Sequence, residues 1–367
     1  MADEFSPLER EIRRLIGVAG PMPIAQYMRL CLTHPQHGYY INRDPLGAGG
    51  DFVTSPEISQ MFGEFIGLWM AAVWRQMGGP EDIRIIELGP GRGSLMHDAL
   101  RAAKVVDGFR SAIVVHLVEI SPALQQIQER RLADLDVPVL WHSTLDEVPA
   151  GASIVIANEF VDALPVHQAV KQDDGWHERA VAIGPDGRFV LTAARDPLPH
   201  FETSMPRGLR QAPVGAIYEW RADDFALELG RRMRNQGAAL IIDYGHDHFG
   251  LGDTLQAVAG HSFTDPLRAP GKADLTAHVD FEALAQCAES MGARIHGPIR
   301  QRELFLHLGI EKRAAALKAS TPLRAADIEV AFSRLIAEGA RGMGELFKAI
   351  AIAAPALGPL PGFETPS

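Results

Sequence analysis

Three observations predict an α/β fold built on a doubly wound, mostly parallel sheet. Short apolar runs alternate with amphipathic helical stretches from Ile83 onward. The runs are continuous where a half-exposed strand would alternate, as expected of strands covered on both faces. The first of them, "IRIIEL", ends in an acid and passes through the glycine-rich turn "GPGRG" into a helix, the arrangement of a nucleotide-type binding turn.

The elements follow in order. From Phe5 to Tyr40 the pattern is helical: Leu8, Ile12, Leu15 and Ile16 share a face, and "PMPIAQYMRLCL" opens a second helix after two prolines. "NRDPLGAGGDFVTSPE" is dense in Gly, Pro and Asp and reads as a loop. Ile58, Met61, Phe62, Phe65, Trp69, Val73 and Met77 recur at spacings of three and four and predict one long helix, stopped by "MGGPED". Strands then follow at "IRIIEL", "AIVVHLVEI", "PVLWHS" and "ASIVIANEF", with helices over 94–105 and at "PALQQIQERRL". "GWHERAVAIGPDGRFVLTAA" predicts a β-hairpin around Gly-Pro-Asp-Gly, and a proline-rich stretch continues to Pro213. A helix over 219–235, the strand "GAALIIDYG", a long loop over 245–276, a helix at "VDFEALAQCAESMG", the strand "ARIHGPI", two helices over 303–339 and a last strand "ELFKAIAIA" complete the chain. The expected organisation is a helical cap and loop at 1–80, a binding core at 81–165, an inserted hairpin and Pro-rich segment at 166–215, and the rest of the core with substrate-side loops at 216–367.

Composition narrows the function classes. The 367 residues are 47% apolar, enough for a sizeable core. A net charge of −11, from 46 acids against 35 Lys and Arg, repels phosphate backbones and anionic lipid, so nucleic acid is not expected as a partner. Cys31 and Cys287 form no CxxC pattern, which argues against a disulfide framework, structural zinc or redox chemistry. No apolar run reaches the length of a membrane span. "MADEFSPLEREIRRLIG" reads as an ordinary amphipathic helix and not a secretory signal. A cytoplasmic location is expected, or the mitochondrial matrix for a processed form.

The glycine turn carries the cofactor question. Gly89, Gly91 and Gly93 alternate, and Ser94 stands where a dinucleotide fingerprint has its third glycine. Pro90 removes an N–H that a phosphate cradle would use. The lysine of a P-loop is absent. The turn therefore suits a cofactor without phosphates, such as S-adenosylmethionine, with a dinucleotide and a purely structural turn as the other readings. Glu87, two residues before Gly89, is placed to complement a cationic methionine part. Glu119, at the end of the next strand, is placed to take both ribose hydroxyls, a role that dinucleotide enzymes share.

Two further stretches have both a structural and a functional reading. In "GDFVTSPE", Thr54 and Glu57 fit a capping box with Pro56 in the first turn, while Asp51, Phe52 and Thr54 also suit a segment closing over a cofactor. "IVIANEFVDALPVHQ" delivers Asn158, Glu159 and Asp162 to a strand end, where ligands of such sheets sit. Methyl transfer requires in-line positioning of a nucleophile. A guanidine nucleophile is protonated in water and needs carboxylates to orient it. Asp243 and Tyr244 end another strand and are candidates to line the substrate pocket. His246, His248, His278, Asp243 and Asp274 show no HExxH or similar spacing, and no metal is expected.

"GYYINRDPLGAGGDFVTSPEISQMFGE", "ELGPGRGSLM", "VEISPALQ", "NEFVDALPV", "IIDYGH" and "DLTAHVDF", in this order, resemble the MidA family of S-adenosylmethionine-dependent methyltransferases over nearly the whole chain. The resemblance implies a class I methyltransferase (Rossmann-like) fold with an N-terminal helical part and inserted segments. For mitochondrial members it implies arginine methylation of a respiratory complex I subunit and a role in complex I assembly. Carried over by position, Glu87, Gly89, Gly91, Gly93 and Glu119 would hold S-adenosylmethionine, with Asp51, Phe52 and Thr54 closing from upstream, and Asn158, Glu159 and Asp162 would face a protein substrate. The alternatives are a small-molecule methyltransferase of the same fold and a non-catalytic assembly factor that uses the fold as a scaffold.

Overall fold

The computed structural model describes residues 5–41, 54–339 and 342–364. The chain forms two compact units, each assembled from three stretches. The larger comprises Val53–Val161, Asp223–Asp247 and Phe281–Ser367, the smaller Met1–Phe52, Asp162–Ala222 and His248–Asp280.

The larger unit is built on β1 (Ile83–Leu88), β2 (Ile113–Val118), β3 (Val139–His142), β4 (Ser153–Asn158), β5 (Gly237–His246), β6 (Arg294–Arg300) and β7 (Phe347–Ala353). Their spatial order is β6-β7-β5-β4-β1-β2-β3. The five strands from β5 to β3 are mutually parallel, and β7 runs antiparallel to both β5 and β6. From β1 the chain steps outward to β2 and β3, then returns to the other side of β1 for β4 and β5. The order therefore reverses between β1 and β4, and ligands of open α/β sheets bind at the carboxyl ends of the strands flanking such a reversal. The apolar continuity of the strands follows from burial. All six residues of β4 are buried, as are Ile83, Ile85, Ile86 and Leu88 of β1. Helix Gln60–Gln76 buries Phe62, Phe65, Trp69 and Val73 in the same core.

The smaller unit holds a sheet in the order Met22–Pro23, Gly175–Ile183, Val166–Gln172, Ile217–Arg221, with Phe189–Ala193 paired to Gly175–Ile183. The expected hairpin closes with Ile183 opposite Phe189. Helices Pro7–Ala19 and Ile24–Thr33 bury Leu8, Ile12, Tyr27 and Met28 in a cluster with Val166 and Val181. Arg221 donates to the carbonyls of Asp162, Leu164, Ala277 and His278, tying two loop segments of this unit together.

Four local expectations are corrected. The helix read as starting near Ile58 begins at Gln60, because Ser59 is extended (φ −157°) and its hydroxyl caps the new helix by accepting from Met61 N; Ser55–Ile58 is a separate short turn of helix. The helix expected from Glu219 starts at Asp224, since Ile217–Arg221, rich in β-favouring side chains, pairs with Val166–Val170. The stretch over 245–276 is not a plain loop: Gln256–Ala259 lies between Ser262–Thr264 and Asp274–Thr276 in a small antiparallel sheet. Three helices, Gln301–His307, Ile310–Ser320 and Ala325–Leu335, occupy the region where two were read.

Candidate cofactor and acceptor site

The turn after β1 needs its glycines. Gly89, Gly91 and Gly93 have φ of +63°, +55° and +76°, a region that L side chains adopt only with strain. At Gly89 a side chain would also meet the Phe160 ring, 2.8 Å from its Cβ position. Gly93 N donates to Pro90 O at 2.8 Å, and Gly93 caps helix Ser94–Ala103.

Two acids flank this turn. Glu87, on β1, is 3% exposed, and its Oε2 is buried without a hydrogen-bond partner among the described residues. Burial pushes its carboxyl up to about 8, with the nearby Glu119 charge as the second cause. Glu119 follows β2, and burial pushes it up to about 7 against the pull of its hydrogen bonds. Its Oε1 accepts from Ser121 N at 2.8 Å and its Oε2 from Gln128 Nε2 at 3.1 Å. The same Gln128 nitrogen donates to Gly91 O at 2.7 Å, and Gln128 Oε1 accepts from Trp141 Nε1 at 2.8 Å. Gln128 was not singled out in the sequence. It sits inside "PALQQIQERRL" among several polar residues, and its partners lie 9, 13 and 37 positions away.

Beside the turn, the end of β4 carries Asn158 and Glu159, with Leu88 of β1 paired to Ala157. Glu159 has φ +50°, a left-handed conformation rare for a residue with a side chain and most often kept at functional positions. Its Oε1 accepts from Ser55 N at 2.8 Å and from Asn158 Nδ2 at 3.1 Å. Asn158 Oδ1 and Ser55 Oγ are both buried without a partner among the described residues. The turn that follows is held by Asp243 at the end of β5, whose Oδ2 accepts from Phe160 N at 3.2 Å and Val161 N at 2.9 Å and whose Oδ1 accepts from Tyr244 N at 2.9 Å. Asp243, a candidate from sequence to line the substrate pocket, holds the backbone of this turn.

The capping box is also revised. Thr54 stands at the start of Ser55–Ile58 without a side-chain cap bond. Glu57 instead accepts from the hydroxyl of Ser94, which in turn accepts from Arg131, and Arg131 lies 3.9 Å from Glu57. The segment 54–58 is thus pinned both to the helix after the glycine turn and to Glu159. Asp51 and Phe52 lie outside the described residues. Asp162 belongs to the smaller unit, where it is buried and its carbonyl accepts from Ala277 N and Arg221 Nη2. The larger unit therefore brings together Glu87, Gly89, Gly91, Gly93, Glu119, Thr54, Asn158 and Glu159.

These residues fit S-adenosylmethionine. A buried carboxylate oxygen without a donor is costly, and a cationic amino-acid moiety is the type of group that would satisfy Glu87. Buried Glu119 presents a carboxylate suited to a diol. The turn offers no lysine and, at Pro90, no amide for a phosphate.

A protein-family model described as "Putative S-adenosyl-L-methionine-dependent methyltransferase" matches residues 65–299. The curated relative "Protein arginine methyltransferase NDUFAF7 homolog, mitochondrial" of Drosophila melanogaster is 39% identical over 344 residues, covering 85% of this chain and 77% of the relative. The Homo sapiens "Protein arginine methyltransferase NDUFAF7, mitochondrial" is 36% identical over 381 residues, covering 95% and 83%. A crystal structure of a Burkholderia thailandensis protein with S-adenosyl-homocysteine bound superposes with a TM-score of 0.86 at 29% identity, covering 97% of this chain and 94% of that one. The chain belongs to the MidA-like family of S-adenosylmethionine-dependent methyltransferases, and it is a methyltransferase of mixed α/β fold with S-adenosylmethionine as its cofactor.

Proposed function

We propose that the protein methylates arginine side chains of a protein substrate, with a respiratory complex I subunit as the acceptor implied by the family resemblance and with the sheet read as doubly wound. The observation that carries this reading is Glu159: a half-buried strand-end carboxylate in a left-handed conformation, held by Ser55 N and Asn158 Nδ2 beside the glycine turn. S-adenosylmethionine, when bound, supplies an electrophilic methyl on a sulfonium. Glu87 neutralises the cationic end of that cofactor, and Glu119 takes its ribose. Asn158 and Glu159 orient the incoming guanidinium, the carboxylate keeping its positive charge on the nitrogens away from the attacking one. Asn158 Oδ1, buried without a partner, is a second acceptor for a guanidinium N–H.

Radiolabelled S-adenosylmethionine, purified complex I subunits from a deletion strain and mass spectrometry of the products test this. Wild-type protein is expected to label arginine, and Glu159→Gln to lose roughly 100-fold or more in rate while binding S-adenosylhomocysteine within about threefold of wild type. Undiminished labelling by Glu159→Gln, or no arginine labelling by wild type, contradicts the proposal.

A further inference from the structure

We infer that Gln128 is a positioning residue for cofactor recognition: it sets the orientation of the Glu119 carboxylate, and through Glu119 it controls how strongly the site reads the ribose hydroxyls. The inference rests on the cofactor site proposed above and adds a residue that acts through another.

Gln128 is fully buried on helix Pro122–Leu132. Burying a glutamine sacrifices side-chain freedom and hydration, and is tolerated only where its amide finds partners. Here both functions of the amide are engaged. Oε1 accepts from Trp141 Nε1 at 2.8 Å, while Nε2 donates to Gly91 O at 2.7 Å and to Glu119 Oε2 at 3.1 Å. The direction of the amide is fixed by chemistry: an indole N–H only donates, so it must face the amide oxygen. A carbonyl and a carboxylate only accept, so they must face the NH2. Inverting the amide would place its oxygen against two acceptors and its nitrogen against a donor.

Trp141 on β3 thereby orients Gln128, and Gln128 joins the glycine turn to Glu119. The other side of that carboxylate is held by Ser121 N on Oε1, so both oxygens are fixed by the protein before any ligand arrives. Pre-set acceptors recognise a diol without ordering a side chain at the moment of binding. A glutamine merely filling space would need no partners at both Gly91 and Glu119. Gly93 lies against the same side chain, its Cβ position 3.5 Å from Gln128 Cγ, so the turn packs on the residue that reads it.

Full-length wild type, Gln128→Met and Trp141→Phe are titrated calorimetrically with S-adenosylhomocysteine and with its 2′-deoxy analogue, and each variant's fold is checked by thermal denaturation. Wild type is expected to prefer the ribose form by roughly 10- to 100-fold, the range expected where a site built to hydrogen-bond a hydroxyl meets a ligand lacking it. Gln128→Met should bind S-adenosylhomocysteine about tenfold more weakly and the deoxy analogue nearly as wild type does, collapsing the preference. Trp141→Phe, which removes the donor that anchors the amide oxygen while leaving Gln128 in place, should lower the preference by a smaller factor and carries the test if Gln128→Met does not fold. Equal weakening of both ligands, or an unchanged preference in folded variants, overturns the inference. Absence of S-adenosylhomocysteine binding by wild type overturns the cofactor site itself.

Discussion

Glu87 and Asp243 are both buried carboxylates on parallel strands of one sheet, 3% and 0% exposed, and the fold treats them in opposite ways. Asp243 accepts from three backbone amides, Phe160, Val161 and Tyr244. Glu87 has an oxygen that accepts from none of the described residues and a carboxyl that burial pushes up to about 8. A buried acid surrounded by amides builds a turn. One that lacks donors marks a place where the protein's own groups are incomplete. The difference separates an acid that holds the backbone from the one proposed above to meet the cofactor, although sequence position alone makes the two acids look alike.

The largest effect that would break this contrast is at Asp243. Asp243→Ala leaves one buried and two part-buried N–H groups without this acceptor and is expected to destabilise the fold by about 3–5 kcal/mol. Urea denaturation measures it, and a loss under about 1 kcal/mol would show that the turn is held by something else.

Glu87→Gln should behave in the reverse sense. Because the folded-state value of about 8 lies above the ordinary 4.5, the folded protein favours the protonated acid. The stability held at low pH is therefore lost as pH rises from about 4.5 through about 8. Glutamine cannot ionise, so Glu87→Gln should come within about 1 kcal/mol of wild type near pH 5 and exceed it by roughly 4–5 kcal/mol at pH 8.5. Equal stability at both pH values would remove Glu87 from the class of acids kept for a ligand.

A smaller effect sharpens the same point. If a cationic cofactor binds the ionised form of Glu87, binding must expel its proton below about pH 8. Affinity for S-adenosylmethionine is then expected to rise roughly tenfold between pH 6.5 and 8 and to level off above. Calorimetry across that range checks it, and a flat profile contradicts it.

Much of the fold was legible in the sequence. The alternation of apolar runs and helices pointed to the strands of the larger unit, and "GPGRG" to a left-handed turn at the end of the first of them, because backbone conformation and strand termination are local properties. Pairing is not local. The helix read over 219–235 took in Glu219–Arg221 because the strand they pair with, Val166–Val170, lies some fifty residues earlier. Ser59 broke a helix whose apolar spacing continued through it. The smaller unit, gathered from three distant stretches, leaves no contiguous signature. Within the site, the roles of Gln128 and Asp243 depend on partners placed by the tertiary fold. Residue type showed that they were polar. Only geometry showed what they hold.

The central claim is that the buried, unpartnered carboxylate of Glu87 belongs to the cofactor. Its most direct test is a side-by-side titration of wild type and Glu87→Gln with S-adenosylmethionine at pH 8. The account predicts binding by wild type and a loss of roughly 30-fold or more in a Glu87→Gln protein that is folded and more stable. Equal affinity of the two proteins would contradict it.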